Sequence, residues 1–205
     1  MSAPTRESAA LHLPGVEADP KPGVYRDLIE TAQSQGVEHS KIWDLFAFGQ
    51  SFTPHLARFS EGVIRSPASI SPAIRELIAA YTSYQNDCAF CTQAHAAAAV
   101  AHLGDEALVW TALRDLEQSA LDEKTKAILR FTGKVTRHLP DVTRADIDTL
   151  RAAGWDDEGI YFAITTCALF NFYNRWITAC GVPEMSPEAH RRQGEALASR
   201  GYIRD

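Results

Sequence analysis

Apolar residues at helical spacing run through almost the whole chain, and this feature restricts its possible folds most strongly. Ile74, Leu77 and Ile78, for example, recur at intervals that place them on one side of a helix. Ser71 and Pro72 precede them, a pair typical of a helix N-cap followed by proline in the first turn. The sequence contains no alternating apolar run bounded by hairpin turns, so no strand is predicted. The sequence therefore predicts an all-α protein.

The same spacing, bounded by glycine, proline and capping residues, predicts a series of further helices. They are expected from Pro22 to Gly36, through Ile42–Phe46, through Leu56–Val63, from an Asn86 or Asp87 cap to Gly104, over Gly104–Leu116, from Leu121 to Leu139, over Thr143–Ala153, from an Asp156 or Asp157 cap to Gly181, and from Ser186 onward. Residues 1–21 show no periodicity and are expected to form an extended arm. Residues 22–205 are expected to form one helical domain, since a chain of 205 residues can bury a substantial core.

Composition and segment lengths exclude several classes of protein. The net charge is −6 and no basic stripe is visible, which argues against a general nucleic-acid binder. The N-terminus lacks a secretory pattern, and no apolar stretch reaches the roughly 20 residues that a bilayer requires. We therefore expect a cytoplasmic protein without membrane contact. No glycine-rich loop joins a strand to a helix, so no nucleotide cofactor is expected.

The chemistry of the chain is concentrated in Cys88, Cys91 and His95, with Glu76 upstream. At roughly 100° per residue, the first three fall within a sector about 60° wide on one helix. Unpaired backbone donors at a helix N-terminus favour a thiolate at Cys88. His95, one turn after Cys91, is placed to accept its proton. If the preceding helix folds back, the Glu76 carboxylate can orient the imidazole or relay protons. The spacing predicts a thiol redox site.

A metal knuckle is the main alternative for this spacing. A tetrahedral site needs a fourth ligand, and His102 lies about 10 Å further along the helix axis than His95. No second Cys-x-x-Cys supplies the missing ligands, so we favour redox chemistry and expect no metal. The other two cysteines, Cys167 and Cys180, lie in an apolar helical run and are expected to be buried and inert.

Three polar residues, Asn171, Asn174 and Arg175, share one face of an otherwise apolar helix. Buried polar groups need partners, so these residues could line the site or an oligomer contact, or form a local network that fixes helix packing. Arg75, next to Glu76, is expected to be a surface charge.

The chain resembles the alkylhydroperoxidase/carboxymuconolactone decarboxylase family, most closely its longer peroxidase-related members. The resemblance covers residues 41–183. It rests on Ser71-Pro72 through Arg75-Glu76, on Asn86-Asp87-Cys88-Ala89-Phe90-Cys91, on His95, on Leu121-Asp122-Glu123-Lys124, on Val142-Thr143 to Gly154, and on Phe170-Asn171-Phe172-Tyr173-Asn174-Arg175 leading to Gly181-Val182-Pro183.

The resemblance implies an all-helical fold, a symmetric homo-oligomer and a two-cysteine peroxidase activity. By position, Cys91 would attack the peroxide, Cys88 would resolve the product, His95 would be the base and Glu76 would complete a proton relay. The helix-dipole argument instead favours Cys88 as the more acidic thiol, so the attacking cysteine stays open. Some family peroxidases carry a histidine just before the second cysteine. Here that position is Phe90, and a proton route through it is absent.

Together these observations predict a peroxidase that reduces hydroperoxides, alkyl hydroperoxides in particular, through a Cys88/Cys91 dithiol with a His95/Glu76 proton relay and an external thiol or disulfide-reductase donor. Two alternatives remain: a lactone-acting enzyme like carboxymuconolactone decarboxylase, in which the cysteines are dispensable, and a redox sensor that forms the disulfide without turnover.

Overall fold

The computed structural model describes residues 10–204, and within that range it contains helices and no strand. The all-α prediction is thus confirmed for the described residues. The helices are α1 (Pro14–Glu17), α2 (Val24–Ser34), α3 (Ile42–Phe48), α4 (Thr53–Arg65), α5 (Pro72–Gln85), α6 (Ala89–Leu103), α7 (Glu106–Arg114), α8 (Glu123–Arg137), α9 (Arg144–Ala152), α10 (Asp157–Cys180) and α11 (Pro187–Arg200), with a short 3-10 helix (Leu139–Asp141) between α8 and α9.

Helix boundaries follow the capping residues that the sequence offers. The Ser71 hydroxyl accepts a hydrogen bond from the Ile74 amide at the start of α5. Asp122 and Asp156 cap α8 and α10 in the same way. Gly104 ends α6 in the left-handed conformation, with φ of +72°, a geometry that glycine adopts without a Cβ clash.

Helix α6 packs against both α5 and α11, and α10 packs against α5. The alanines of α6 are small enough for another helix to pack closely, and Gly194 of α11 packs against them. A Cβ added at Gly194 would lie 2.6 Å from the main-chain carbon of Ala97, closer than side chains approach. The small residues of both helices therefore set how near α11 comes to α6.

Two large apolar clusters form most of the core of the described residues. One surrounds Leu77, Ile128 and Leu129 between α5, α7, α8 and α10. The other lies between α2, α3, α4, α6, α10 and α11, and includes Cys88 and Cys91. The predicted redox pair is therefore built into a core and not into a surface loop.

The arm expected over residues 1–21 lies partly outside the described residues. From residue 10 onward it is not extended throughout, because Pro14 begins the short helix α1. Leu11 is buried against Leu45 and Cys180, and the His12 amide donates to the Cys180 carbonyl at 2.9 Å. This part of the arm packs over the end of α10.

The prediction that Arg75 is a surface charge is wrong. Its side chain is fully buried, donates to the Val63 carbonyl at 2.8 Å and to the Ser66 carbonyl at 2.6 Å, and lies over the Phe162 ring. Carbonyls at a helix C-terminus have no partner within the helix. Arg75 supplies donors to the end of α4 from the adjoining helix.

Within the described part of the chain, no helix combines the length and the apolar character needed to cross a membrane.

Candidate functional site

A tight turn between α5 and α6 places the first cysteine. Asn86 ends α5, and Asp87 adopts a left-handed conformation with φ of +53°. The Cys88 amide then donates to the Ser83 carbonyl at 3.0 Å. The N-cap of α6 is Cys88 itself, so the expectation that Asn86 or Asp87 caps this helix is wrong. The chain has to reverse within two residues, which leaves neither side chain facing the α6 amides.

Cys88 and Cys91 are both buried free thiols, 3% and 1% exposed. A hydrogen bond from the Cys91 thiol, aided by the Cys91 amide, lowers the pKa of Cys88 to about 6, against the effect of burial. Burial raises the pKa of Cys91 well above its usual value, and the adjoining Cys88 raises it further. The reduced pair therefore holds one negative charge, which lies mainly on Cys88.

His95 and Glu76 form a hydrogen-bonded pair between α6 and α5. The His95 Nδ1 atom lies 2.8 Å from the Glu76 Oε2 atom, and the Phe170 ring packs edge-on against the imidazole at 4.3 Å between centroids. Among residues 10–204, no group forms a hydrogen bond with His95 Nε2. An Nδ1–H that donates to the carboxylate leaves Nε2 as a proton acceptor.

The second carboxylate oxygen of Glu76 has two donors that the sequence did not indicate. The Arg65 guanidinium and the Tyr202 hydroxyl both donate to Oε1, the latter at 2.9 Å. Arg65 also donates to the Leu197 carbonyl at 2.9 Å. Nothing near Arg65 or Tyr202 resembles a catalytic motif, and Tyr202 lies 126 residues from Glu76 in sequence. Only the packing of α4 and of the segment after α11 reveals these two donors.

Glu76 is fully buried, yet it is held as a carboxylate. Burial acts to raise its pKa, but the hydrogen bond and charge of His95 and the charge of Arg65 outweigh burial and lower the pKa below the usual value. A buried ion of this kind is stable only when its partners satisfy it. Glu76 can thus orient the imidazole without taking up a proton at neutral pH.

A cavity of about 80 Å³ reaches this group of residues. Cys91 and His95 both line it, and Cys88 does not. Apolar and aromatic side chains form most of the remaining wall, among them Ile42, Trp43, Phe46, Phe90, Phe170, Tyr173 and Ile177. The cavity therefore gives a small apolar molecule access to one sulfur and one imidazole.

The polar residues of α10 have two of the roles that the sequence suggested: they form a network that fixes helix packing, and one of them lies at the site. Asn86 donates to the Oδ1 atoms of Asn171 and Asn174, and Asn174 donates to the Ser83 hydroxyl at 2.9 Å. These bonds fix the α5–α6 turn against α10. Asn174 also lies beside both sulfurs and acts to lower the pKa of each. Arg175 instead bonds its own helix, at Asn171.

Three further features of the described residues are the other two cysteines, the lack of a cluster of metal ligands and a second groove. Cys167 and Cys180 are buried, as expected. In the part of the chain that the structure describes, no three His, Cys, Asp or Glu side chains are grouped to hold a metal ion. A larger groove of about 950 Å³ lies along His39, Pro183 and His190, but no cysteine lines it.

Comparisons with known proteins agree with this fold. The model of the carboxymuconolactone decarboxylase family matches residues 51–109, the segment that contains Glu76, Cys88, Cys91 and His95. A search of curated proteins finds no significant match to the sequence.

Solved structures match nearly the whole chain. An uncharacterized peroxidase-related protein from Silicibacter sp. TM1040 is 27% identical, with a TM-score of 0.76 over 92% of this chain and 97% of that one. A structure described as an alkylhydroperoxidase AhpD core, an uncharacterized peroxidase-related protein from Ralstonia eutropha JMP134, is 19% identical, with a TM-score of 0.76 over 93% and 98%.

The debrominase Bmp8, in a cysteine-to-alanine variant bound to 2,3,4-tribromopyrrole, is 16% identical, with a TM-score of 0.67 over 95% of this chain and 100% of that one. At identities this low, the Ralstonia and debrominase structures establish the fold alone. The match to the family model over residues 51–109 and the fold shared with the peroxidase-related Silicibacter protein support the resemblance to the alkylhydroperoxidase/carboxymuconolactone decarboxylase family.

Proposed function

We propose that this protein is a thiol-dependent peroxidase that reduces small alkyl hydroperoxides through a Cys88/Cys91 dithiol–disulfide cycle. The observation that carries the proposal is that Cys91 and His95 line one apolar cavity, with Glu76 bonded to the far side of the imidazole. The match to the family model over residues 51–109 and the similarity to a peroxidase-related protein support the same activity.

Cys91 is the attacking sulfur in this proposal, because it lines the cavity and Cys88 does not. Its raised pKa means that it needs a base, and His95 lies one helical turn away on the same face of α6. His95 Nε2 takes the Cys91 proton as the sulfur attacks the terminal peroxide oxygen. The O–O bond breaks, Cys91 becomes a sulfenic acid, and the leaving alkoxide takes the proton from His95 to form an alcohol.

Cys88 resolves the sulfenic acid. In the reduced pair its pKa of about 6 makes it a thiolate at neutral pH, and it attacks the Cys91 sulfur once that sulfur is oxidised. The disulfide forms, and the hydroxide that leaves takes a proton from solvent to give water. The two electrons that reduce the peroxide come from the two sulfurs. An external thiol or disulfide reductase must restore them. A cytoplasmic location, where such donors occur, stays a prediction of the sequence.

The cavity supports the choice of substrate. Its volume of about 80 Å³ is several times what a single water molecule requires. A hydroperoxyl group with a short alkyl chain matches this volume, and the aromatic wall favours the alkyl part over water.

A homo-oligomer is part of the proposal. Phe52 and Phe172 are 49% and 46% exposed, and both rings pack against Trp176. Grouped exposed aromatic side chains are typical of protein–protein contacts. Sedimentation of the purified protein tests this part, and a monomer at micromolar concentration would contradict it.

The activity is tested by following tert-butyl hydroperoxide consumption with dithiothreitol as donor. We expect Cys91→Ser and Cys88→Ser each to abolish turnover, with Cys180→Ser as the matched control that retains it. In Cys88→Ser, dimedone should trap a sulfenic acid on Cys91. Full activity in the Cys88→Ser/Cys91→Ser double variant would instead indicate an enzyme that does not use the cysteines. Disulfide formation without turnover would indicate a redox sensor.

A further inference from the structure

The C-terminal segment, residues 201–204, is fastened onto the candidate site. Gly201 follows α11 with φ of +72°, and a Cβ there would overlap the Glu61 carboxylate. The same carboxylate accepts the Tyr202 amide at 2.6 Å. Only glycine suits this conformation and this close approach, so the backbone at Gly201 directs Tyr202 inward, toward α5 and α6.

Tyr202 contacts both members of the proton relay. Its hydroxyl donates to Glu76 Oε1 at 2.9 Å and lies 3.4 Å from His95 Nδ1. Its ring is nearly parallel to the imidazole, at 7° between planes and 6.3 Å between centroids. The Arg65 guanidinium lies 5.4 Å from the centre of the same ring. Tyr202 also forms part of the cavity wall.

We propose that Tyr202 is a positioning residue for the Glu76–His95 pair, so that the C-terminal segment is part of the active site. The inference rests on the proposed function. The hydroxyl and Arg65 together occupy Glu76 Oε1, which leaves Oε2 for the imidazole. The carboxylate is then fixed in the orientation that holds His95 Nε2 toward the cavity. Tyr202 does not touch the reacting sulfur, and its effect on the reaction passes through Glu76 and His95.

The hydroxyl is protonated at neutral pH. Burial raises the pKa of Tyr202 well above its usual value, and the Glu76 carboxylate raises it further. Tyr202 is therefore a permanent donor to Glu76 and not a proton carrier. The charged and titratable groups that surround it are Glu61 and Arg65 on α4, Glu76 on α5, His95 on α6, Tyr173 on α10, and Arg204 in its own segment.

The test compares Tyr202→Phe with the wild type, and uses Tyr161→Phe, an exposed tyrosine on α10, as the matched control. A hydrogen bond to a charged group is worth enough to change a rate about tenfold. We expect kcat with tert-butyl hydroperoxide to fall by roughly this factor in Tyr202→Phe while KM changes little. The phenylalanine keeps the ring, so the cavity wall is preserved.

A second readout does not depend on peroxidase activity. The rate at which iodoacetamide alkylates Cys91 is measured against pH, and the 15N signals of the His95 ring are recorded. Both should change in Tyr202→Phe and stay as in the wild type in Tyr161→Phe. Gly201→Ala, which displaces the segment while keeping the tyrosine, should give the same changes, and it decides the matter where Tyr202→Phe does not fold.

The outcomes separate the two proposals. A wild-type protein that turns over no peroxide, but whose alkylation profile and 15N signals respond to Tyr202→Phe, would reject the peroxidase and keep the positioning role. Alkylation profiles and 15N signals identical to the wild type in both Tyr202→Phe and Gly201→Ala would overturn the positioning role, whatever the activity.

Discussion

Replacing Glu76 by glutamine should destabilise the protein strongly, although the two side chains have almost the same shape. Glu76 is fully buried and accepts hydrogen bonds from His95, Arg65 and Tyr202. The amide would place an NH2 group against one set of these donors and leave the largely buried Arg65 without a counter-charge. Breaking a buried ion pair in this way typically costs about 3–5 kcal/mol.

A loss of about 3–5 kcal/mol in the free energy of unfolding corresponds to a large decrease in Tm. For a chain of this length, 1 kcal/mol corresponds to about 2–4 °C in Tm, so Glu76→Gln should lower Tm by roughly 6–20 °C. Glu30→Gln is the matched control, because Glu30 is exposed and pairs only with Arg26 one turn away on the surface. Exposed pairs contribute little, so the control should unfold with the wild type.

The pH dependence of the free energy of unfolding gives a second test of the Glu76 carboxylate. The pKa of Glu76 is lowered on folding, so its contribution to stability is present above the pKa of the unfolded chain and is lost as pH falls through the folded value. Urea unfolding of the wild type at decreasing pH should therefore approach that of Glu76→Gln. Equal urea midpoints for the two proteins at pH 7 would refute this account of the buried carboxylate.

Two further predictions concern the thiol pair and the helix contact beneath it. Thiolate absorbance at 240 nm should titrate near pH 6 in the reduced wild type and be lost in Cys88→Ser; in Cys91→Ala, which removes the donor, the midpoint should move upward, because the bond from Cys91 is the main cause of the lowered pKa of Cys88. An unchanged midpoint in Cys91→Ala would show that other groups set this pKa. Gly194→Ala should lower Tm, since the added methyl overlaps Ala97 on α6, and an unaltered melting curve would show that α11 shifts without loss.

The sequence was sufficient for the helices and for the local part of the site. Cys91 and His95 lie one turn apart on α6 and Cys88 is its N-cap, so helical spacing is enough to bring these three residues close together. Glu76 could be added because a short connection forces α5 and α6 to run back against each other. Caps such as Ser71 mark boundaries through bonds made within three residues, which makes them readable in the sequence.

Contacts between distant segments could not be predicted in this way. Tyr202 reaches Glu76 across 126 residues, through a turn at Gly201 whose geometry no local pattern specifies. Arg75 looked like a surface charge because its partners are carbonyls at the end of another helix. The cap at Cys88 was missed because the turn is tighter than the polar residues Asn86 and Asp87 suggested. In each case, tertiary packing determined what local chemistry left open.

Oxidation of the fully reduced protein by one equivalent of tert-butyl hydroperoxide tests the central claim most directly, with thiols counted and the product mapped by mass spectrometry. The account predicts the loss of two thiols per peroxide and a single new bond between Cys88 and Cys91, while Cys167 and Cys180 stay reduced. Thiols that remain unchanged after excess peroxide, or a bond that involves either of the other two cysteines, would contradict it.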